Sequence, residues 1–248
     1  MYNNPQLYDD IMWWKKDDIQ FWLSTINKTK SYKILELCCG TGRIGLPLIK
    51  QGLDYYGIDL SEKFINYFKS NAEDLNCNLN NIITADVRNF NLNQTFDFIF
   101  IGFNSLAHLL SNQDIENCFQ VIQKHMHSKT VFAIDIFVPD ASFLYRDDNQ
   151  KIDIMDFLDS QTNEQITIME SIKYDASTEV NHIDWEFINK EKICRFNYKF
   201  DMRMLFPDTL NRILTECNYH ISNFYGDYDC NQFNEDSEKQ IYLCTKLS

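Results

Sequence analysis

Three carboxylates and a cluster of glycines are spaced along the first third of the chain in a way that suits one kind of ligand. The stretch "KILELCCGTGRIG", residues 33 to 45, holds Gly40, Gly42 and Gly45 at the spacing of a loop that opens a helix against a nucleotide. Glycines there let the backbone approach a ligand closely. Glu36, just before the glycines, changes which ligand fits. A dinucleotide sets its pyrophosphate against the helix N-terminus, where a preceding carboxylate would repel it. An ammonium in the same place would be held. Asp59, at the end of the next apolar run, is placed to bond both hydroxyls of a ribose. Asp86 ends the run after that and can accept from an adenine amino group, with the Val87 backbone beside it.

Adenine, ribose and an ammonium without phosphate describe S-adenosylmethionine. Asp59 alone would serve a nicotinamide cofactor equally well, so Glu36 is the discriminating residue. Cys38 and Cys39 are adjacent, a spacing too strained for an ordinary disulfide, and read as fillers of the strand-loop junction. The remaining cysteines of the eight are scattered, several within apolar runs, and read as small buried hydrophobes. Neither a CxxC pair nor a Cys/His cluster with zinc spacing occurs, so no metal site is expected.

These residues need strand ends to bring them together. "KILELCC", "DYYGIDL", "NNIITAD", "FDFIFIGF" and "KTVFAIDIFV" read as five buried strands, separated by helical stretches. One helix is closed by Gly52, one runs from Ser61 and Glu62 through Cys77, and one covers 112 to 127. Strands alternating with helices predict a parallel, doubly wound sheet. Ahead of them, "DDIMWWKKDDIQFWLSTI" predicts one helix over 9 to 26. After Pro139 the pattern changes. "EQITIMESIKYD", "HIDWEFINKE" and "KICRFNYKFDMRML" alternate apolar and polar, as antiparallel strands do. "PDTLNRILTEC" is a helix, and "YHISNFYGDYD" with "QIYLCTKL" a closing pair of strands. The acid runs at Asp147–Asp148 and Asp227–Asp229 read as exposed surface. The expected organisation is a cofactor-binding core over 1–140, an antiparallel lid over 141–204, and a completing helix and strands over 205–248.

With 248 residues, 44% hydrophobic and 15% aromatic, the chain can bury a sizeable core. A net charge of −13 disfavours a surface built to grip phosphate backbones, so DNA is not an expected partner. Neither a signal-peptide core nor an apolar run of spanning length is present. The expectation is a reduced, cytoplasmic protein without membrane attachment, a monomer or homodimer.

The motifs carry a resemblance. "ILELCCGTG", "YGIDLS", "ITADV" and "FDFIFIGFNSLAHL" resemble the first four motifs of class I S-adenosylmethionine-dependent methyltransferases. The likeness covers roughly residues 30 to 140, and the C-terminal helix and strands resemble the family's own. "LYDDIMWW" and the antiparallel insertion resemble the small-molecule branch, which includes glycine and amino-sugar N-methyltransferases. The resemblance implies an α/β fold: a seven-stranded, mostly parallel, Rossmann-like sheet with a small antiparallel lid. It implies cofactor contacts from Tyr8, Trp14, Glu36, Cys38, Gly40, Gly42, Asp59, Leu60, Asp86, Val87 and Phe103. The departures are Cys38 and Cys39, where small residues or glycine are commoner.

The implied activity is methyl transfer to a small molecule, with an amine nitrogen favoured. The alternatives are transfer to RNA or protein, or a non-catalytic protein that binds S-adenosylmethionine. DNA base methylation is disfavoured, because Asn104, Ser105, Leu106 and Ala107 stand where an Asp/Asn-Pro-Pro-aromatic motif would. His108 follows, beside the expected methyl position, and reads equally as a base that takes the amine proton or as a packing residue. Tyr8 is the second catalytic candidate. Tyr8 and Trp14 offer aromatic faces to a cation, with core packing as the alternative. Asn104, His108, Arg195 and Arg203 are the candidate acceptor contacts; solvated arginines are the alternative for the last two.

Overall fold

The computed structural model describes residues 3–147 and 150–247, so Asp148 lies outside the described residues. The chain opens with α1 (Pro5–Ile11), which has Pro5 in its first turn and is capped by Asn4, whose side chain accepts from the Leu7 amide. Then follow α2 (Asp17–Lys28), β1 (Lys33–Leu37), α3 (Gly45–Lys50), β2 (Asp54–Asp59) and α4 (Glu62–Ala72). β3 (Ile82–Thr84), β4 (Phe96–Ile101), α5 (Asn112–Lys124) and β5 (Met126–Phe137) complete the alternating half. The insertion contains α6 (Ala141–Leu144), β6 (Ile152–Asp159), β7 (Glu164–Asp175), β8 (Val180–Asn189) and β9 (Cys194–Arg203). The chain closes with α7 (Pro207–Glu216), β10 (Tyr219–Tyr225) and β11 (Lys239–Lys246).

Among the described residues, β10-β11-β5-β4-β1-β2-β3 form a seven-stranded sheet in which only β11 runs against its neighbours. The expected sheet is therefore present, and strand order reverses between β1 and β4, where open α/β sheets bind ligands. Side-chain alternation sends successive residues of these strands to opposite faces. Leu35, Leu37, Ile99 and Ile101 pack with α5 and α7, while Ile34, Phe98 and Phe100 pack with Trp22, Leu48 and Phe68. Each such fully buried side chain contributes roughly 1.5–3 kcal/mol. Both faces are covered, so β4 is apolar almost throughout.

The second sheet, β6-β7-β8-β9, is antiparallel. Its inner face carries Ile168, Ile172, Trp185 and Phe187, which pack against Leu7 and Ile11 of α1. Its outer face carries the hydrogen-bonded pair His182–Asp201 (2.7 Å) and the ion pair Lys199–Asp184 (3.0 Å).

Several local expectations need correction. The helix expected over 9 to 26 is two helices, with a break at "MWWKK". Ile11 must reach the inserted sheet while Phe21 and Trp22 enter the main core, and one straight helix cannot serve both. α4 stops at Ala72, short of Cys77, where the apolar face formed by Phe64, Ile65 and Phe68 ends. The insertion has a fourth strand, β6, whose register shifts between Asp153 and Met155, which breaks its period-two pattern. Among the described residues, no helix is long and apolar enough to cross a membrane.

Candidate active site

The site begins where β1 ends. Cys38 turns the chain with φ 58°, and Gly40 and Gly42 continue it with φ 56° and 89°. A Cβ on Gly42 would sit 2.3 Å from the Phe68 ring, so neither the space nor the φ admits a side chain there. The Gly40 amide donates to Asp59 Oδ2 (2.9 Å), and the Ser61 amide donates to Asp59 Oδ1 (2.8 Å). Two backbone donors thus orient the carboxylate that ends β2. Burial raises its pKa, and these bonds oppose the rise.

Above the loop lies a narrow cleft lined by Tyr8, Glu36, Cys38 to Thr41, Arg43, Ile44, Gly102, Phe103 and Ser105. Glu36 is buried and accepts from the Tyr55 hydroxyl (2.6 Å). Burial pushes its carboxyl up to about 8, against the Tyr55 bond and the Arg43 charge, which lower it. A cation entering the cleft would supply the charge that its ionised form lacks. Tyr8 comes from α1, with its ring 5.1 Å from that of Phe64, and burial pushes its phenol up to about 12. α1 is tied to the loop by Thr41 Oγ1, which donates to Asp9 Oδ1 (2.6 Å). A second, wider hollow between α1 and β6 is lined by Asp9, Asp10, Trp13 and Asp156. Thr41, Ser160 and Thr167 already donate to these carboxylates, so the glycine cleft is the better site for chemistry.

Of the residues singled out in the sequence, the fold brings Tyr8, Glu36, Cys38, Gly40 and Phe103 to the cleft wall, and Asp59 to Gly40. Leu60 beside it is exposed, and Val87 belongs to the core. Gly42 faces Phe68 behind the loop. Asp86 stands just beyond β3, where Arg88 grips its carboxylate (2.6 Å) and reaches Asp114 of α5 (2.9 Å). The Arg88 bond holds the Asp86 carboxyl below the usual range. Trp14 meets the edge of Phe103 at 6.3 Å. Asn104 is in the left-handed region, and its Oδ1 accepts from the Phe137 amide (2.8 Å).

His108 ends the 3-10 turn Ser105–His108, with Nδ1 3.3 Å from the Asp201 carbonyl on β9 and its ring 6.4 Å from that of Phe200. Desolvation lowers its pKa. Arg195 pairs with Glu164 (3.2 Å) and the buried Arg203 with Glu179 (3.1 Å), both within the inserted sheet. Among the described residues, no three of His, Cys, Asp and Glu converge as metal ligands. Sequence reasoning missed Arg43, which stands one residue after Gly42 and binds Asp18 of α2 bidentately (2.6 and 2.8 Å). A lone cation beside the glycines was its signal.

The fold and the site define a class: an α/β protein with a polar, glycine-lined cleft at the switch point of a mostly parallel sheet, where such sheets take ligands. Residues 34–129 match the family model described as a methyltransferase domain. The putative methyltransferase YqeM of Bacillus subtilis is 21% identical over 223 residues, covering 86% of this chain and 84% of that protein. The glycine/sarcosine/dimethylglycine N-methyltransferase of Actinopolyspora halophila is 23% identical across 96% of this chain, which spans 41% of that relative's length. Among solved structures, the CcbJ methyltransferase of Streptomyces caelestis superposes with a TM-score of 0.81 at 16% identity, over 100% of this chain and 98% of that one. Residues 34–129 of this chain are a methyltransferase domain, and the proteins of similar sequence and fold include S-adenosylmethionine-dependent methyltransferases.

Proposed function

We propose that the chain methylates an amine nitrogen of a small molecule held between the cofactor cleft and the inserted sheet. The observation that supports this reading most is the place of His108, at the joint between the end of β4 and the inner strands of the insertion. With its Nδ1 proton donated to the Asp201 carbonyl, the basic nitrogen of the ring is Nε2. The lowered pKa keeps the ring neutral near pH 7. A protonated amine has no lone pair to give, so a neutral imidazole that takes its proton raises the reactive fraction.

Bound S-adenosylmethionine supplies a methyl group on a cationic sulfur. Glu36 binds the ammonium of its methionine part, Asp59 the ribose hydroxyls, and Asp86 with the Val87 backbone the adenine. Tyr8, beside Phe64, and Phe103, just beyond β4, wall the cleft, where their aromatic faces favour a cation. The insertion, through its apolar inner face and α1, excludes water from the acceptor. The N-methyltransferase among the relatives supports nitrogen over oxygen.

The test is a panel of small amines, amino sugars and alcohols incubated with methyl-labelled cofactor. Label on an amine nitrogen, with release of S-adenosylhomocysteine, is expected. Label found only on hydroxyls, or only on added RNA or protein, would overturn the proposal.

A further inference from the structure

The turn that brings Phe103 to the cleft is unusual in holding two successive non-glycine residues, Phe103 and Asn104, at φ 49° and 63°. L-residues keep that conformation only where surrounding bonds impose it. Two of those bonds, on successive amides, trace to one residue. Asp135, fully buried on β5, accepts the Phe103 amide at Oδ2 (3.1 Å), and its carbonyl accepts the Asn104 amide (3.0 Å). The same Oδ2 accepts the hydroxyl of Tyr228 (2.8 Å), which comes from the loop between β10 and β11.

Tyr228 is held in turn. The buried Lys15 Nζ donates to its hydroxyl (2.9 Å) and lies 4.4 Å from its ring centroid, while Lys239 Nζ lies 4.9 Å from the same ring. The Phe103 ring has Lys15 Nζ at 5.3 Å and the Arg43 guanidinium at 5.1 Å. Burial raises the Asp135 pKa, and Tyr228 and Lys239 oppose the rise.

We propose that Asp135 and Tyr228 are positioning residues for the methionine half of the cofactor: they fix the Phe103–Asn104 turn and act on the ligand only through Phe103. The location follows from the proposed contacts. With Asp59 at the end of β2 and Asp86 beyond β3 on the adenosine, and Glu36 of β1 on the ammonium, the amino-acid end lies over β1 and β4 in the strand order β3-β2-β1-β4. The inference rests on the cleft's being the cofactor site.

Two probes separate the halves of the ligand: S-adenosylhomocysteine, which has the amino-acid part, and adenosine, which lacks it. Calorimetry on Tyr228→Phe and Asp135→Ala should show S-adenosylhomocysteine binding weakened by about tenfold, the scale of one hydrogen bond to a charged group. Adenosine affinity should move by less than about twofold. Amide exchange in peptides covering 101 to 106 should quicken in both variants. Asp135→Asn, whose amide oxygen can accept the same two bonds, should recover most of the affinity and protection. Unchanged S-adenosylhomocysteine affinity in Tyr228→Phe, or equal loss for both ligands, would overturn the inference. Failure of the wild-type protein to bind either ligand would instead overturn the cofactor site on which it rests.

Discussion

The two sheets of this molecule respond to different demands. The main sheet is covered on both faces, so β4 reads apolar almost throughout and its polar groups gather at strand ends. The inserted sheet is covered on one face only, so β7 alternates between buried and partly exposed positions along most of its length. In the first, a residue's place at a strand terminus already suggests a chemical task. In the second, each residue sits mid-strand, and its task depends on what the inner face meets. On the proposed reading, cofactor chemistry belongs to strand ends, and acceptor choice to a surface.

The largest expected effect sharpens this division. Phe187 is fully buried on the inner face of the inserted sheet and stacks on Phe196 at 4.2 Å. Phe187→Ala should cost about 3–5 kcal/mol of stability in denaturant unfolding. S-adenosylhomocysteine affinity of the folded variant should stay within about twofold. A large loss of that affinity would mean that the two sheets are not separate in their tasks.

The next effect falls on the joint between the sheets. His108→Asn should lower turnover on the amine acceptor by about 10²-fold at neutral pH, with cofactor affinity nearly intact. The deficit should shrink at high pH, where the amine loses its proton unaided. Undiminished turnover would remove His108 from the reaction and leave positioning alone to account for catalysis.

A smaller effect isolates the main sheet. Glu36 ionises near 4.5 when exposed and at about 8 in the folded protein. The folded state thus binds more protons than the unfolded state between these values. Stability of the ligand-free protein should fall as pH rises through that window. An ammonium placed beside Glu36 reverses the demand, so S-adenosylhomocysteine affinity should rise toward pH 8. Glu36→Gln should flatten both profiles, measured by thermal unfolding and by calorimetry across pH. A wild-type affinity independent of pH would show that Glu36 does not meet the ammonium.

How far the sequence revealed these features follows the same division. The βα alternation and the residues ending β1 and β2 were legible, because period and turn chemistry are local signals. Ile11, Trp14, Ile19, Trp22 and Ile26 stand near helical spacing, so nothing local marked the break between α1 and α2; it comes from two cores pulling Ile11 and Trp22 apart. β6 was hidden by its register shift. Tyr228 lies inside "DYD" and was read as part of an exposed acid run, yet it carries the bond to Asp135 across 93 residues of chain. Asp86 was read as poised for adenine; that Arg88 also reaches Asp114 of α5, 26 residues on, left no mark in the sequence. Contacts distant in sequence leave no periodic trace.

The central claim is that the glycine cleft takes S-adenosylmethionine through Glu36 and Asp59, and it is tested most directly by calorimetric titration. Wild-type protein should bind S-adenosylhomocysteine and show no heat with NADH. Asp59→Ala, which removes the acceptor of the Gly40 and Ser61 amides as well as the expected ribose contact, should lose the S-adenosylhomocysteine signal. Tight NADH binding with no S-adenosylhomocysteine binding would contradict the account.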